Sequence, residues 1–402
     1  MAHVVIIGGG AAGMMAAGTA VRAGHKVTVL EHSRKTLLKL GITGKGRCNL
    51  TNDCDVRTLV TNTPHGGKFL YGAFSRTTPQ DVMDLFTELG VPLKTERGAR
   101  VFPVSDRAFD IVDALRRYAS GAQVMLADAK EIRLEGGAVC GVTTSRGFVP
   151  AEHVILATGG KSYPATGSDG SGYEIAKALG HTIVAPEPSL VPLHADPAIC
   201  MPLSGLSLKN VELSLLCDGK SLYREMGEML FTHTGISGPL VLSASVFMRG
   251  AKGQYEVLLD LKPALDEAAL DLRLLREIET APNINFSNLL PKLLPKAMTR
   301  VICDCSGISP GLKLNVMTRQ QRMSLIRTLK AFQIGKVTKS GFDEAVVTAG
   351  GVATAEVDPR TMRSKLVPGL SFAGEILDVD AYTGGFNLQI AWATGRAAAY
   401  GI

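Results

Sequence analysis

The stretch HVVIIGGGAAGMMAAGTAVRAGHKVTVLEHS, residues His3–Ser33, decides how this chain is read. Val4 to Ile7 is a short continuous apolar run, the pattern of a strand buried on both faces of a parallel sheet. Gly8, Gly10 and Gly13 then spell G-x-G-x-x-G, with Ala12 between the last two. An alanine-rich helix follows to Arg22, Gly24 ends it, and KVTVLE reads as a second strand closing on Glu31. The first glycine permits a tight turn, the second leaves room for backbone beside a pyrophosphate, and the third lets helix pack closely on strand. The helix start aims its N–H groups at phosphate. Glu31, 18 residues beyond Gly13, is placed to accept hydrogen bonds from an adenosine ribose. A carboxylate there selects a free 2′-hydroxyl, hence FAD or NAD rather than NADP.

The apolar run Val4–Val21 lacks the basic start of a signal peptide, and three glycines interrupt it early. No other stretch is long and apolar enough to span a bilayer. With 402 residues, 46% of them apolar and 20% charged, the chain has the composition of a soluble protein of two or three domains. Its seven cysteines have irregular spacing and no CxxC, which points to free thiols in a reducing cytoplasm and neither to a metal site nor to a disulfide framework. The absence of CxxC also argues against a disulfide reductase.

GITGKGRCNLTN, Gly41–Asn52, first suggests a nucleoside-triphosphate loop. That pattern needs a glycine where Lys39 stands and a Ser or Thr where Gly46 stands, so the stretch is read as a ligand-lining loop of another kind. Two further glycine-rich elements occur. A strand from Val154 to Ala157 breaks into Thr158-Gly159-Gly160, followed by TGSDGSG and a short helix from about Tyr173 to Leu179. A strand from Leu370 to Ala373 leads to Gly374-Glu375, and Gly384-Gly385 opens a helix to about Ala399. A nicotinamide dehydrogenase has no need of these parts. FAD is longer, and a distant second segment often closes its site.

GGGAAGMMAA, GITGKGRCNLTN, ERGARVFPVSDRA, ILATGGKSYPATGSDGSGYEIAKALGH, GEMLFTHTGISGP, TAGGV and GEILDVDAYTGGFNLQIAWATG together span nearly the whole chain. In them the chain resembles the HI0933-like family of FAD-dependent oxidoreductases, whose members are named bile-acid dehydro reductases or aminoacetone oxidases. Ala381 and Phe386 depart from that pattern, standing where Gly and Tyr are expected. The resemblance implies an α/β fold: a Rossmann-like two-dinucleotide-binding FAD domain with an inserted β-barrel that carries a helical subdomain. It implies a cofactor site from Gly8, Gly10, Ala12, Gly13, Glu31, His32, Thr43, Gly44, Arg47, Cys48, Asn49, Ala129, Ala157, Thr158, Gly159, Gly160, Gly374, Glu375, Asp380, Gly384, Gly385, Phe386 and Asn387. In such enzymes the loop after the second strand passes the flavin, so Lys45 or Arg47 would neutralise phosphate. The Gly384-Gly385 helix start would stabilise charge on reduced flavin at N1 and O2. Phe386, Asn387 and Gln389 are expected near ring or substrate, although Asn387 serves equally well as a helix cap.

The expected divisions are 1–188 and 346–402 for the FAD domain, 189–262 for the barrel-like insert, 263–332 for a helical subdomain and 333–345 for a return strand. Candidate catalytic residues are His233 in the polar loop GEMLFTHTGISGP, as a proton-transfer group, Arg100, with Arg97, as an anion binder, and Cys48 beside the flavin. The leading expectation is hydride transfer through flavin N5. NADH or NADPH would dock transiently, since no second G-x-G-x-x-G is present, and the substrate is an activated C=C bond or a small amine or alcohol. A second expectation is an RNA-associated flavoprotein. From Phe286 to Ser340 ten basic residues face only Asp304, a net +9 within an overall +6, though few aromatics accompany them. A third is a flavin redox sensor without turnover. The oligomeric state is left open.

Overall fold

In a computed structural model, residues 1–250 and 253–402 are described. The chain divides into two compact units, 1–189 with 341–402, and 190–340.

The first unit is built on a five-stranded parallel sheet. Strand β1 (His3–Ile7) is followed by helix α1 (Ala11–Arg22) and strand β2 (Lys26–Glu31). β1 pairs with β2 on one side and with the strand His153–Leu156 on the other. Leu370–Phe372 lies beyond that strand, and Gln123–Leu126 beyond β2. Val4, Val5, Ile6 and Ile7 are all buried, so this run carries no polar face and needs cover on both sides. α1 supplies one cover. Residues Ala12 to Ala20 are buried, and all but Met14 and Met15 are small enough to let sheet and neighbouring helix approach closely. That neighbour is the C-terminal helix Phe386–Tyr400, where a Cβ on Gly395 would lie 2.5 Å from the Ala12 carbonyl oxygen. Sequence positions nearly 400 residues apart therefore share one core.

The second unit is a closed antiparallel barrel. Its strands, in spatial order, are Leu193–His194, Gly235–Ser237, Lys220–Phe231, Ser207–Cys217, Tyr255–Asp260 and Phe332–Lys339. Tyr255–Asp260 buries every second residue, as a barrel wall with one dry face requires. Between the last two strands the chain forms helices Glu267–Thr280, Thr299–Ser306 and Arg319–Lys330. Asp266 caps the first, and Thr318 with Gln321 forms a capping box on the third. Lys330, at the end of that third helix, pairs with Asp260 of the barrel. The fold is thus the α/β dinucleotide-binding domain with an inserted barrel and helices. Among the described residues no helix is long and apolar enough to cross a membrane.

Candidate active site at the carboxyl end of the parallel sheet

Because Leu370–Phe372, His153–Leu156, β1 and β2 are consecutive neighbours and parallel, the turns at their carboxyl ends lie side by side. Those turns are Gly374-Glu375, Ala157–Gly160, Gly8–Gly10 and Glu31-His32. Gly8 has φ +108°, and a Cβ there would lie 2.4 Å from the Ala157 carbonyl oxygen. The two turns touch through backbone, so only glycine fits. A Cβ on Gly13 would strike the Gly8 carbonyl oxygen at 1.9 Å, which is why helix and turn pack so closely. Gly10 differs: nothing lies within 4 Å of its Cβ direction. No side chain caps α1, and an uncapped helix start suits a pyrophosphate. The buried Glu31 carboxylate accepts from the N–H of Gly9 (2.9 Å) and of Ser33 (2.7 Å). Thr158 Oγ1 is buried without a hydrogen-bond partner among the described residues and packs against Gly172. These features fit the adenosine-pyrophosphate half of FAD.

The other expected residues on this edge have more specific partners. Gly374, against Ala12, donates its N–H to Thr394 Oγ1 (2.9 Å). Glu375 is the hub of a network: it accepts from Lys39 Nζ (2.8 Å), Ser162 Oγ (2.8 Å) and the Thr348 N–H (2.8 Å). Lys39 also donates to Ser162 (2.7 Å). The network ties the helix after β2 to both glycine turns. His32 lies 3.9 Å from Asp169, and a Cβ on Gly167 would come within 2.8 Å of its Nε2. Ala129 begins the strand Ala129–Glu135, two residues after Ala127, whose N–H donates to the Glu31 carbonyl (2.9 Å).

The stretch Gly41–Asn52 is not wholly a loop. It starts inside the helix Leu38–Gly46, which loses helical backbone at Thr43, Gly44 and Lys45. Arg47 donates to Asp106 (2.6 and 2.9 Å) and to Glu96, and stacks over Phe102 at 4.2 Å. Its charge is spent on two carboxylates rather than left for phosphate. Cys48 is fully buried, and burial pushes its thiol up to about 12. Such a thiol stays neutral and inert at neutral pH, so Cys48 has a packing position rather than a reactive one.

The remainder of the stretch braces the C-terminal helix. Asn49, with its amide oriented to satisfy both ends, accepts from the Gly385 N–H (3.0 Å) and donates to the Thr51 carbonyl (3.1 Å). Asn52 Nδ2 donates to the carbonyls of Gly98 (2.9 Å) and Gly384 (3.1 Å). Thr51 Oγ1 donates to Gln389 Oε1 (2.7 Å), and Gln389 donates to the Thr77 carbonyl (2.7 Å). Gly385 has φ +99°, with Thr51 backbone 2.3 Å from where a Cβ would stand. Its bare edge therefore faces Thr51. Phe386 is buried, and Asn387 directs its side chain to the backbone of Ala381 and Tyr382. Asp380, fully buried, accepts from His65 Nδ1 (2.8 Å) and Ser189 Oγ (2.6 Å).

Arg100 is half-buried and donates to the Arg97 carbonyl (3.0 Å). His233 belongs to the second unit, exposed between Lys220–Phe231 and Gly235–Ser237. His65, Lys39, Ser162 and Thr348 do not stand out in the sequence as site residues. The sole signal for His65 is its place in the polar turn TPHGG.

Residues 2–401 match the family described as "HI0933-like protein Rossmann domain". A 3-dehydro-bile acid delta(4,6)-reductase of Clostridium scindens is 33% identical, over 99% of this chain and 98% of that protein. A ribosomal RNA dihydrouridine synthase of Escherichia coli is 31% identical, over 98% of this chain and 96% of that protein. Among solved structures, the 3-ketosteroid-delta4-(5alpha)-dehydrogenase of Rhodococcus jostii superposes with a TM-score of 0.52 at 15% identity, covering 99% and 96% of the two chains. That likeness speaks for the fold.

Proposed function

This chain belongs to the HI0933-like family of FAD-dependent oxidoreductases, and from that premise we propose that it reduces a carbon–carbon double bond conjugated to a carbonyl group. The convergence of four carboxyl-end turns beside an uncapped helix start supports the cofactor part of this reading, and the names of two relatives support the bond class. FAD, when bound and reduced, supplies a hydride at N5. In this reading the α1 N-terminus binds pyrophosphate, Glu31 orients the ribose, and the Glu375 network fixes the turns that enclose the middle of the cofactor. The braced Gly384-Gly385 turn holds the C-terminal helix start toward the ring.

The names of the two relatives describe different substrates and one kind of bond. A delta(4,6) unsaturation in a 3-dehydro, that is 3-oxo, skeleton is a conjugated alkene. Dihydrouridine is uridine with the double bond beside a ring carbonyl saturated. Of these two classes we favour a uracil base within RNA. Lys292, Arg300, Arg322 and Lys330 pair with Glu277, Asp304, Asp271 and Asp260, so the basic segment is less bare than its sequence suggests. Lys296, Lys313, Arg319, Arg327 and Lys336 are exposed and make no carboxylate pair among the described residues. Five such cations suit a phosphate backbone and lend binding a salt dependence.

The test begins with anaerobic mixing of the holoprotein with NADH or NADPH while flavin absorbance is followed. Reduced protein is then offered unmodified ribosomal RNA or a 4-ene-3-oxo steroid. Reoxidation with a two-hydrogen mass gain in a uridine supports the RNA reading. The same gain in the steroid moves the substrate to the second class. Reoxidation by neither, with rapid oxidation by oxygen and turnover of an amine, overturns the reductase reading.

A further inference from the structure

We infer that His65 is the proton donor of this reduction and that the buried Asp380 positions it; the inference rests on the conjugated-alkene reading above. Adding a hydride to one carbon of such a bond leaves a carbanion-like partner that must take a proton, so the site needs an acid near the ring. The residues at the ring end of the first unit contain one arrangement suited to this.

His65 sits in the turn before the helix Gly67–Arg76. This turn runs antiparallel to the segment that leads into Gly384-Gly385. Asp380 donates its N–H to the His65 carbonyl (3.3 Å), and Tyr382 donates to the Asn62 carbonyl (3.0 Å). Asn387 grips Ala381 and Tyr382 from inside the C-terminal helix. His65 is therefore fixed, through backbone pairing, to the strand of chain that ends at the helix start assigned to the ring.

The side chain completes the case. Nδ1 of His65 lies 2.8 Å from Asp380 Oδ1, and the other carboxylate oxygen accepts from Ser189 Oγ at 2.6 Å. Asp380 has no exposed side-chain surface, whereas the His65 side chain is 30% exposed. A carboxylate on Nδ1 sets the tautomer and leaves Nε2 as the working nitrogen, and Nε2 has no partner among the described residues. Other histidines of this unit are placed differently. His153 is buried against Ser371, and His181 has both ring nitrogens engaged, by Glu356 and Ser364.

The step balances. Bound FAD, once reduced, would supply the hydride for the carbon distal to the carbonyl. The imidazolium of His65 gives its Nε2 proton to the adjacent carbon, whose electron pair comes from the broken π bond. His65 remains as neutral imidazole with its Nδ1–H on Asp380, and solvent reprotonates Nε2. The electrons come from the nicotinamide nucleotide that reduces the cofactor.

The experiment compares wild-type holoprotein with His65→Gln, His65→Ala and Asp380→Asn. FAD affinity and the rate of flavin reduction should change less than about threefold in His65→Gln, whose amide can still donate to Asp380. Reoxidation of its reduced form by substrate should slow at least about a hundredfold, the usual scale of general acid catalysis. Added imidazole should restore part of the rate in His65→Ala, which a merely structural role would not allow. In ¹⁵N-histidine spectra of oxidised wild-type holoprotein, the neutral ring of His65 should carry its proton on Nδ1. Asp380→Asn should shift this tautomer balance. Reoxidation of His65→Gln at the wild-type rate, or a neutral His65 protonated on Nε2, overturns the inference. Failure of wild-type reduced protein to react with either substrate class refutes the reductase reading itself, and this inference with it.

Discussion

The two ends of the proposed cofactor site are built by opposite means. At the adenosine end, some thirty contiguous residues supply bare glycines, an uncapped helix and one carboxylate bonded to backbone 22 positions away, with the Ala157 turn packed against them. At the proposed ring end, side-chain amide, hydroxyl and indole groups join residues more than 330 positions apart: Asn52 to Gly384, Thr51 to Gln389 and Trp392 to Leu50. The first end depends on steric fit, which any added atom destroys. The second depends on hydrogen bonds buried in a protein interior, each of which can be lost singly. The adenosine end should therefore fail as a whole, whereas the ring end should be tunable.

Gly13→Val gives the largest expected effect. Its branched side chain meets the Gly8 carbonyl at 1.9 Å from Cβ, so helix and turn must separate. Overpacking of this severity costs about 3 kcal/mol or more. FAD should be absent from the purified protein, and the thermal midpoint should fall by several degrees. Retention of FAD with an unchanged midpoint would show that the turn tolerates displacement.

Acid should act away from both ends. His153 opens its strand at the amino end of the parallel sheet, opposite the site. Burial, with smaller contributions from Arg363 and His25, lowers its pKa from 6.5 to about 4. The unfolded chain takes up this proton first, so the stability is intact above about pH 6.5 and is lost as pH falls toward 4. The upper bound is about 3 kcal/mol, read from denaturant midpoints between pH 7 and 4. His153→Gln should flatten that part of the profile. A slope unchanged by the substitution would place the acid sensitivity elsewhere.

Gln389→Ala probes the ring end. It leaves Thr51 Oγ1 and the Thr77 carbonyl buried without their partner, which costs about 2 kcal/mol. The flavin spectrum or potential should shift while FAD remains bound. Loss of FAD with no change in stability would mean that this residue contacts the cofactor rather than bracing the helix.

The same contrast explains what was legible in sequence. The G-x-G-x-x-G unit and Glu31 are local, and each residue type answers a local steric or electrostatic demand. The inserted barrel and its helices were expected as what the family resemblance implies. The assignment of Arg47 to phosphate was not safe, because its partners Glu96 and Asp106 are brought to it only by folding. Asn387 left two readings open, and its bonds to Ala381 and Tyr382 belong to neither a helix cap nor a ring contact. The basic segment likewise looked barer than it is, since Glu277, Asp271 and Asp260 lie outside its bounds. His65 carried no signal beyond its polar turn: its meaning comes from Asp380, 315 residues away.

The central claim is that FAD is held at the carboxyl end of the parallel sheet, with its adenosine on Glu31. The most direct measurement is FAD titration of apoprotein by fluorescence quenching, comparing wild type with Glu31→Ala. Removing the carboxylate takes away charge-assisted bonds worth roughly 1.5–3 kcal/mol each, so affinity should fall at least about tenfold. The bound flavin should keep its spectrum, because the change lies far from the ring. Binding as tight as wild type would contradict the account and move the cofactor away from the first glycine motif.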